Sequence, residues 1–590
     1  MKNSLRAAVA QIDITPALPI STAGSLTRRE ATSIQTNLHA RFLMLENQET
    51  TLLFVLVDVV GLSNEDMATI RDTISGQLTL PVANICIACT HTHSAPATMD
   101  AFTYHRENAY VDALNDNICN TALDLPKKLQ PASVAWGTGY EDRPAYNRRF
   151  IMQDGTLKTN PGKGNPAIVR PAGPTDPHLP FLAVRDANHN LLSVLASYSL
   201  HYIGADSSTA ISADYFGEFS RLMQERHGPQ CVAMLAHGAS GDINNVNAQE
   251  LPEPWFEHTT KPSEKCTVVA GMLVEQVEKL LPSLQFTNEA VLASSETQVP
   301  HGVRKMSGKE QETALQELKD GDPTAQIFAQ ERLHVQGYPD SIAQPQQCWR
   351  VGGWAMCTFP GQMFAQYGLD LQYASPFETT TLVELANAWG GYVGRPMDYV
   401  LGGYEMKLAR SSFATADTGP KLMESAVGQL EELFGNKWNK TQYTAARLGN
   451  LVLKDLDKQI LQTFPVWAFD DSREYLLPVL NFDYLPDEFG DLFISANFTT
   501  PDGMQLHGYI ISCEGSVFAL TIFAKSDEFI FNLNLQDLAA EDLRKLQTSL
   551  NLPDTKIFPL RYQTQFHYQA GKVLTGVFDP FQWGNNVFEY

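Results

Sequence analysis

The sequence predicts an α/β (α+β) domain with mixed sheets and covering helices over about residues 1–435, then a smaller α+β domain with an antiparallel meander over about 440–590. Three observations carry this. Apolar runs of strand length alternate with amphipathic helical stretches along the first four hundred residues. Polar residues capable of chemistry stand where several of those runs stop, the place where open α/β sheets put their sites. After Gly435-Asn436-Lys437, a linker candidate, the texture changes to short strands punctuated by turn signals.

Taken in order, Thr51–Val60 is a buried apolar run ending around Asp58, Asn64–Leu78 a helix and Val82–Thr90 a second buried strand. The pattern recurs: Leu191–His201 reads as a strand, Tyr215–Arg226 as a helix with Phe216, Phe219 and Met223 on one face, and Cys231–His237 as a strand. From about Val303 to Gln347 the chain turns polar, with helices at Glu310–Leu318 and Gln326–His334 separated by Gly321-Asp322-Pro323; this is a solvated insertion. A helix at Lys421–Phe434 leads into the linker. Beyond it a helix is expected at about Ala445–Phe464, then strands at Leu492–Thr499, Met504–Cys513, Val517–Phe523 and Phe529–Leu533, with turns at Pro501-Asp502-Gly503 and Glu514-Gly515. A helix at Asp537–Leu550 and a hairpin at Lys556–Phe578 complete it, and the aromatic end Phe578–Trp583 reads as core packing or, less simply, as an exposed contact surface.

At 590 residues, 44 % hydrophobic and 18 % charged, the chain has the composition of a packed protein with two or more domains. Its 66 acidic residues against 43 basic ones give a net charge of −23, which argues against nucleic acid as a partner and against a polybasic grip on anionic lipid. No run approaches the ~20 apolar residues of a membrane span, and Met1–Arg6 lacks the apolar core of a secretory signal, so a cytoplasmic, soluble protein is expected. Eight cysteines are too few for a disulfide scaffold. Cys86 and Cys89 form a CxxC, but a strand there sends the two sulfurs to opposite faces, the arrangement of buried thiols.

Thr90-His91-Thr92-His93-Ser94-Ala95-Pro96 follows the strand at Val82–Cys89. Histidines at i and i+2 project to one side of an extended chain, so both can converge on a metal, or one can bind while the other supports it; a hydrogen-bonded loop is the plainer reading. His201 in Ser199-Leu200-His201-Tyr202 ends another strand, and two strand-end histidine sites in one chain shift the balance toward metal. Ala236-His237-Gly238-Ala239-Ser240-Gly241-Asp242-Ile243-Asn244-Asn245 is a third strand with a Gly-rich turn, open either to ligand approach or to simple turning. Neither a GxSxG elbow nor a Walker A pattern occurs.

Together these pieces resemble the neutral/alkaline ceramidases, zinc amidohydrolases that cut the amide of N-acylsphingosine. The resemblance runs in order over roughly residues 7–430: Ala10–Pro16, Leu38–Arg41 into Val57-Asp58, Thr90–Pro96, Tyr146-Asn147-Arg148, Leu200-His201, Gly241-Asp242, Phe359-Pro360-Gly361, and Gly391-Tyr392-Val393 through to Gly403-Tyr404-Glu405. It implies a single Zn²⁺ held by His91, His201 and Tyr392, with His93 just behind them and Arg148 and Tyr404 holding the scissile amide or a product carboxylate. Two positions depart. Gln362 stands where the family has a zinc-binding Glu, and Asn244 stands where it has a catalytic Ser.

An amide oxygen is a poorer ligand than a carboxylate, and Asn244 cannot act as a nucleophile, though its amide can position water or an oxyanion. The reading is therefore a zinc-type amidohydrolase in which metal-bound water, not Ser, attacks an amide or related acyl bond of a small polar substrate, with His93, Arg148, Asn244 and Tyr404 as catalytic residues and His91, His201, Tyr392 and Gln362 as ligands. The alternative is a catalytically silent relative that binds a ligand or partner. True ceramide hydrolysis ranks third, because the family assigns it to the missing Ser.

Overall fold

A computed structural model describes residues 4–248 and 261–435 together with eight strands between 445 and 579. The chain divides into two compact units. The first comprises residues 1–148, 175–394 and 402–434.

Its centre is an eight-stranded sheet made of β1 (Arg6–Asp13), β2 (His39–Glu46), β3 (Thr51–Val57), β4 (Ile85–Cys89), β5 (Gln130–Tyr140), β6 (His178–Asp186), β7 (Leu191–Tyr198) and β8 (Val232–His237), in the order β8-β7-β6-β5-β1-β2-β3-β4. The outermost pairs, β3/β4 and β7/β8, are parallel, and the inner pairs are antiparallel. A parallel pair needs a crossover, and the sequence supplies one helix for each: α1 (Asn64–Leu78) between β3 and β4, and α3 (Asp214–His227) between β7 and β8. α1 begins where the Ser63 side chain accepts the Asp66 N–H and ends at Thr79 in the left-handed region.

The sheet is buried on both faces, as its continuous apolar strands require. Phe42, Met44, Val55, Val57, Ile87 and Cys89 point to one face, beneath α1 and α2 (Asn108–Asp124). Their neighbours Leu43, Leu45, Phe54, Leu56, Cys86 and Ala88 point to the other. The CxxC cysteines do lie on opposite faces, and burial pushes both thiols up. At the far end of the sheet α3 and α4 (Pro262–Leu280) cover β6, β7 and β8. The opposite face packs on a second sheet, β9 (Leu292–Gly302), β10 (Ser341–Val351), β11 (Trp354–Thr358) and β12 (Thr379–Val383), through Leu292, Trp349, Trp354, Met356 and Val383. Outside that sheet lies α8 (Thr418–Phe434), whose Ser425 and Gln429 side chains donate to Gln346. The unit is thus layered helix, sheet, sheet, helix. Between β9 and β10 stands the helical insertion, α5 (Gly308–Asp320) and α6 (Pro323–Gln336), opened by the Ser307/Glu310 capping box and by Asp322 with Pro323; α7 (Ala365–Ala374) follows β11.

Residues 384–387, leaving β12, stitch the two edges of the large sheet together. The Glu384 N–H donates to His237 O of β8 at 2.9 Å, while on β4 the Cys89 N–H donates to Leu385 O at 3.3 Å, the Asn387 N–H to Ile87 O at 2.8 Å, and the Ile87 N–H to Asn387 Oδ1 at 2.9 Å. The C-terminal ends of β4 and β8, far apart in strand order, therefore open onto the same place.

Three boundaries differ from expectation. Val82–Asn84 is a 3₁₀ turn rather than strand, β7 stops at Tyr198 so that His201 stands on the loop beyond it, and the insertion ends near residue 340 because Ser341–Gln347 belong to β10. The polar look of that last stretch is deceptive, since Gln344, Gln346 and Gln347 are buried amides with hydrogen bonds inside the fold.

The second unit comprises residues 149–174, 395–401 and 435–590. It holds a small sheet of Leu157–Thr159, Arg149–Met152 and Ile168–Pro171, and an eight-stranded sheet drawn from the C-terminal part. There Phe493–Thr499, Gln505–Cys513, Val517–Ala524 and Glu528–Asn534 form the expected antiparallel meander. The helix expected at Ala445–Phe464 is instead two antiparallel strands, Ala445–Lys454 and Ile460–Phe469. Short apolar runs carry both periods, and Gly449, Val452, Thr463 and Pro465 tip this one toward extended backbone. Of the hairpin expected at Lys556–Phe578, the described part is a strand at Val573–Asp579 that pairs with Ala445–Lys454 and Phe493–Thr499. The helix at Asp537–Leu550, the linker residues Asn436 and Lys437, and Pro580–Trp583 lie outside the described residues.

Candidate metal centre

Three histidines meet where the sheet edges are joined. Past β4 the chain turns sharply at His91, whose φ of 65° lies in the left-handed region and whose N–H donates to Val59 O. A residue with a β-carbon pays about 1–2 kcal/mol for that conformation, so the surrounding structure must impose it. The His91 ring packs edge-on against His93 and His201, each with ring centroids 4.7 Å away. His93 is half-buried and stacks on Tyr202, with centroids 3.8 Å apart and planes 14° apart.

The protons of these rings can be placed from their partners. His91 Nδ1 lies 2.6 Å from Val60 O, His93 Nδ1 2.8 Å from Gly24 O, and His201 Nδ1 3.2 Å from Ser240 O. A carbonyl oxygen only accepts, so each Nδ1 carries the hydrogen and each neutral ring keeps a bare Nε2. His91 Nε2 and His93 Nε2 face one another at 3.1 Å, lone pair to lone pair, and buried His201 Nε2 has no hydrogen-bond partner. The ligand nitrogens of all three lie within 4.8 Å of one another. Burial holds all three rings well below the usual histidine range, and their mutual repulsion and the Arg148 charge add to it, so a shared proton is a poor remedy. Three convergent imidazole nitrogens, each backed by a carbonyl on its far side, can hold a metal ion.

Around them, Gln362 is buried and its Oε1 also lacks a partner. Its short strand runs parallel to that of Tyr392, and the Tyr392 ring lies 14° from the plane of His201 with centroids 6.4 Å apart. The Tyr392 hydroxyl accepts from Arg148 Nη2 at 3.1 Å. Burial raises the Tyr392 phenol and Arg148 works against this. The guanidinium also donates from Nε to Glu405 at 2.9 Å and from Nη2 to Gly241 O at 2.6 Å. Burial disfavours its charge, but Tyr392 and Glu405 outweigh that and raise its pKa. Gly241 has no room for a side chain, since a β-carbon there would stand 2.6 Å from Gln362 O.

Comparison with solved structures places this architecture. The chain superposes on neutral ceramidase from Pseudomonas aeruginosa with a TM-score of 0.58 at 15 % identity, covering 90 % of this chain and 98 % of that one. A ceramidase complexed with C2 gives 0.57 at 15 % identity with the same coverage. The chain has the neutral ceramidase fold. No protein-family model and no curated protein sequence matches it.

Within this ceramidase fold the structure brings together His91, His93, His201, Tyr392 and Arg148, with Tyr404 beside Tyr392 at 6.1 Å between ring centroids and Phe328 of α6 edge-on to Tyr404. His93, expected behind the ligands, has its Nε2 in the same cluster as the other two. Asn244 lies on a short strand that pairs with that of Tyr146, and its Oδ1 accepts the Val246 N–H of its own turn at 2.9 Å. The sequence reading missed the roles of Gly24, Tyr202, His237, Ser240 and Glu384. His237 carried the same strand-end signal as His201, whereas Glu384, which follows the apolar run of β12, had only its position to mark it.

Two expectations arise here. Gly24 has a φ of 88°, and a β-carbon on it would stand 2.6 Å from His93 Cγ. Gly24→Ala is expected to displace His93 and weaken any divalent-metal binding at the cluster at least about tenfold in chelator competition; equal affinity would show that the His93–Gly24 bond is idle. The second concerns acid. His237, beside the cluster, is lowered by burial to about 3, like its neighbours below their ordinary 6.5. The metal-free folded chain keeps these rings neutral while the unfolded chain protonates them, so stability falls as pH drops below about 6.5, by about 1.4 kcal/mol per pH unit for each ring. Glu384, raised above 4.5 by burial, opposes this with a single proton. Urea midpoints that stay level from about pH 6.5 to about pH 5 would contradict this.

Proposed function

We propose that this chain is a metal-dependent hydrolase of an amide or related acyl bond in a small polar substrate. The observation that carries the reading is the convergence of three bare imidazole Nε2 atoms, each ring held by a backbone carbonyl on its other nitrogen. His91, His93 and His201 would hold the ion, with Gln362 and Tyr392 as further oxygen donors, and borderline nitrogen and oxygen donors suit Zn²⁺. A divalent ion held there supplies Lewis acidity and makes water a nucleophile near neutral pH.

The remaining chemistry falls to the chain. Arg148 keeps its positive charge beside the cluster, and burial pushes the Tyr404 phenol up so that it stays a hydroxyl donor. Together they would receive the acyl oxygen as negative charge develops on it. The low pKa of the histidines keeps their lone pairs available at neutral pH. No serine stands at position 244, so the nucleophile comes from water. Both of the solved structures above are ceramidases that share this fold, and that likeness supports an N-acyl amide as the substrate class. The competing reading, a silent binding protein, is favoured by Asn244 Oδ1 being held by its own turn and by a neutral amide at Gln362.

A panel of N-acyl amides and short peptides assayed with added Zn²⁺ separates the two. Turnover abolished by chelation, with kcat lowered about a hundredfold by Tyr404→Phe, is the expected result. No turnover on any member selects the silent protein.

A further inference from the structure

Glu384 is fully buried at the first residue of the seam, and the mechanism above gives it no part. One of its oxygens, Oε2, accepts the Met363 N–H at 2.7 Å, and the other, Oε1, accepts the Ser240 hydroxyl at 3.0 Å. The His237 ring, kept neutral by burial, packs against the same carboxyl through Nδ1. Each contact leads one step further to the metal centre. Ser240 O is the carbonyl that takes the His201 Nδ1 hydrogen, at 3.2 Å. Met363 follows Gln362 in the chain, and Met363 O accepts the Gly241 N–H at 2.8 Å, whose own carbonyl holds Arg148.

We propose that Glu384 is the positioning residue of the metal centre: one buried carboxyl fixes at once the turn that orients His201 and the strand that carries Gln362. The role rests on the reading of the histidine cluster as a metal site. It also gives this chain a way to aim a weaker amide ligand, because Gln362 is held by the backbone beside it rather than by its own charge. The same three side chains do not make a Ser-His-Glu nucleophile. Ser240 Oγ donates to Glu384 Oε1 at 3.0 Å and lies 3.1 Å from His237 Nε2, but Ser240, His237 and Glu384 are all 0 % exposed, closed to a substrate.

Two conservative variants separate reach from charge. Glu384→Asp keeps the charge but withdraws the carboxyl by one methylene, whereas Glu384→Gln keeps the length and an acceptor for Met363 but loses the charge. In chelator competition with Zn²⁺ on the full chain, Glu384→Asp is expected to bind about 10–100-fold more weakly than wild type and Glu384→Gln within about threefold. A purely structural residue would lower the metal-free unfolding midpoint of both variants and leave Zn²⁺ affinity alone. Should Glu384→Asp not fold, Ser240→Ala removes the hydroxyl while keeping the carbonyl on His201, and a loss of about threefold or more is expected. Equal affinity across the variants, or a Gln variant as weak as the Asp one, overturns the role of Glu384 alone. A wild-type protein that takes up no Zn²⁺ overturns the metal centre first and this role with it.

Discussion

Protein carrying His91→Ala is expected to emerge from a chelator-free purification with less than about a tenth of an ion per chain, against about one for wild type. His91 is the hub of the cluster: its ring touches His93 and His201, and its Nε2 faces His93 Nε2 at 3.1 Å. Removing it leaves two imidazoles with ring centroids 5.4 Å apart, too few ligands for a closed site. His201→Ala should do the same, since it deletes the one Nε2 that has no other partner. Asn244→Ala, whose side chain is held by its own turn, should leave the ion in place and so controls for general damage. Elemental analysis reads all three. Wild-type stoichiometry in both histidine variants would move the centre elsewhere.

Arg148→Met is expected to cost about 3–5 kcal/mol of unfolding free energy, measured by urea titration, because it takes the guanidinium from buried Glu405. The same change frees the Tyr392 hydroxyl from its donor and, on the proposed function, removes the charge that would receive the acyl oxygen, so kcat/KM should fall by a further factor of about 10²–10³ beyond the loss of folded protein. The two effects can be told apart: Arg148→Lys restores charge but not the forked geometry, and should recover part of the stability with little of the rate. A Met variant as stable as wild type would mean that Glu405 is satisfied without Arg148.

Much of the site was legible because it hangs on local patterns. The buried runs that became β3, β4, β7 and β8 announced themselves by apolarity, α1 was read to its observed ends, and histidines just past strand ends are conspicuous. Glu384 was not legible. Its importance comes from a seam that joins residues 300 apart in sequence, such as Ile87 and Asn387, and no period along the chain encodes such a meeting. The polar start of β10 was lost for a related reason: its glutamines look solvated until the sheet and α8 that bury them are in place. Tautomers, too, have no sequence signal, although they decide that three lone pairs rather than three N–H groups face inward.

The seam at residues 384–387 also sets the moment at which a metal centre can exist during folding. A zinc finger gathers ligands from neighbouring turns, and the ion can nucleate the fold. Here His91 and His93 follow the edge strand β4 while His201 follows β7, next to the opposite edge, and the segment that joins the two edges lies near residue 385, so several of the longest loops in the unit must close before the three nitrogens meet. An ion captured at this place arrives after the sheets have assembled. It would act as a lock on a finished structure, slowing its opening and leaving the rate at which that structure first forms almost untouched.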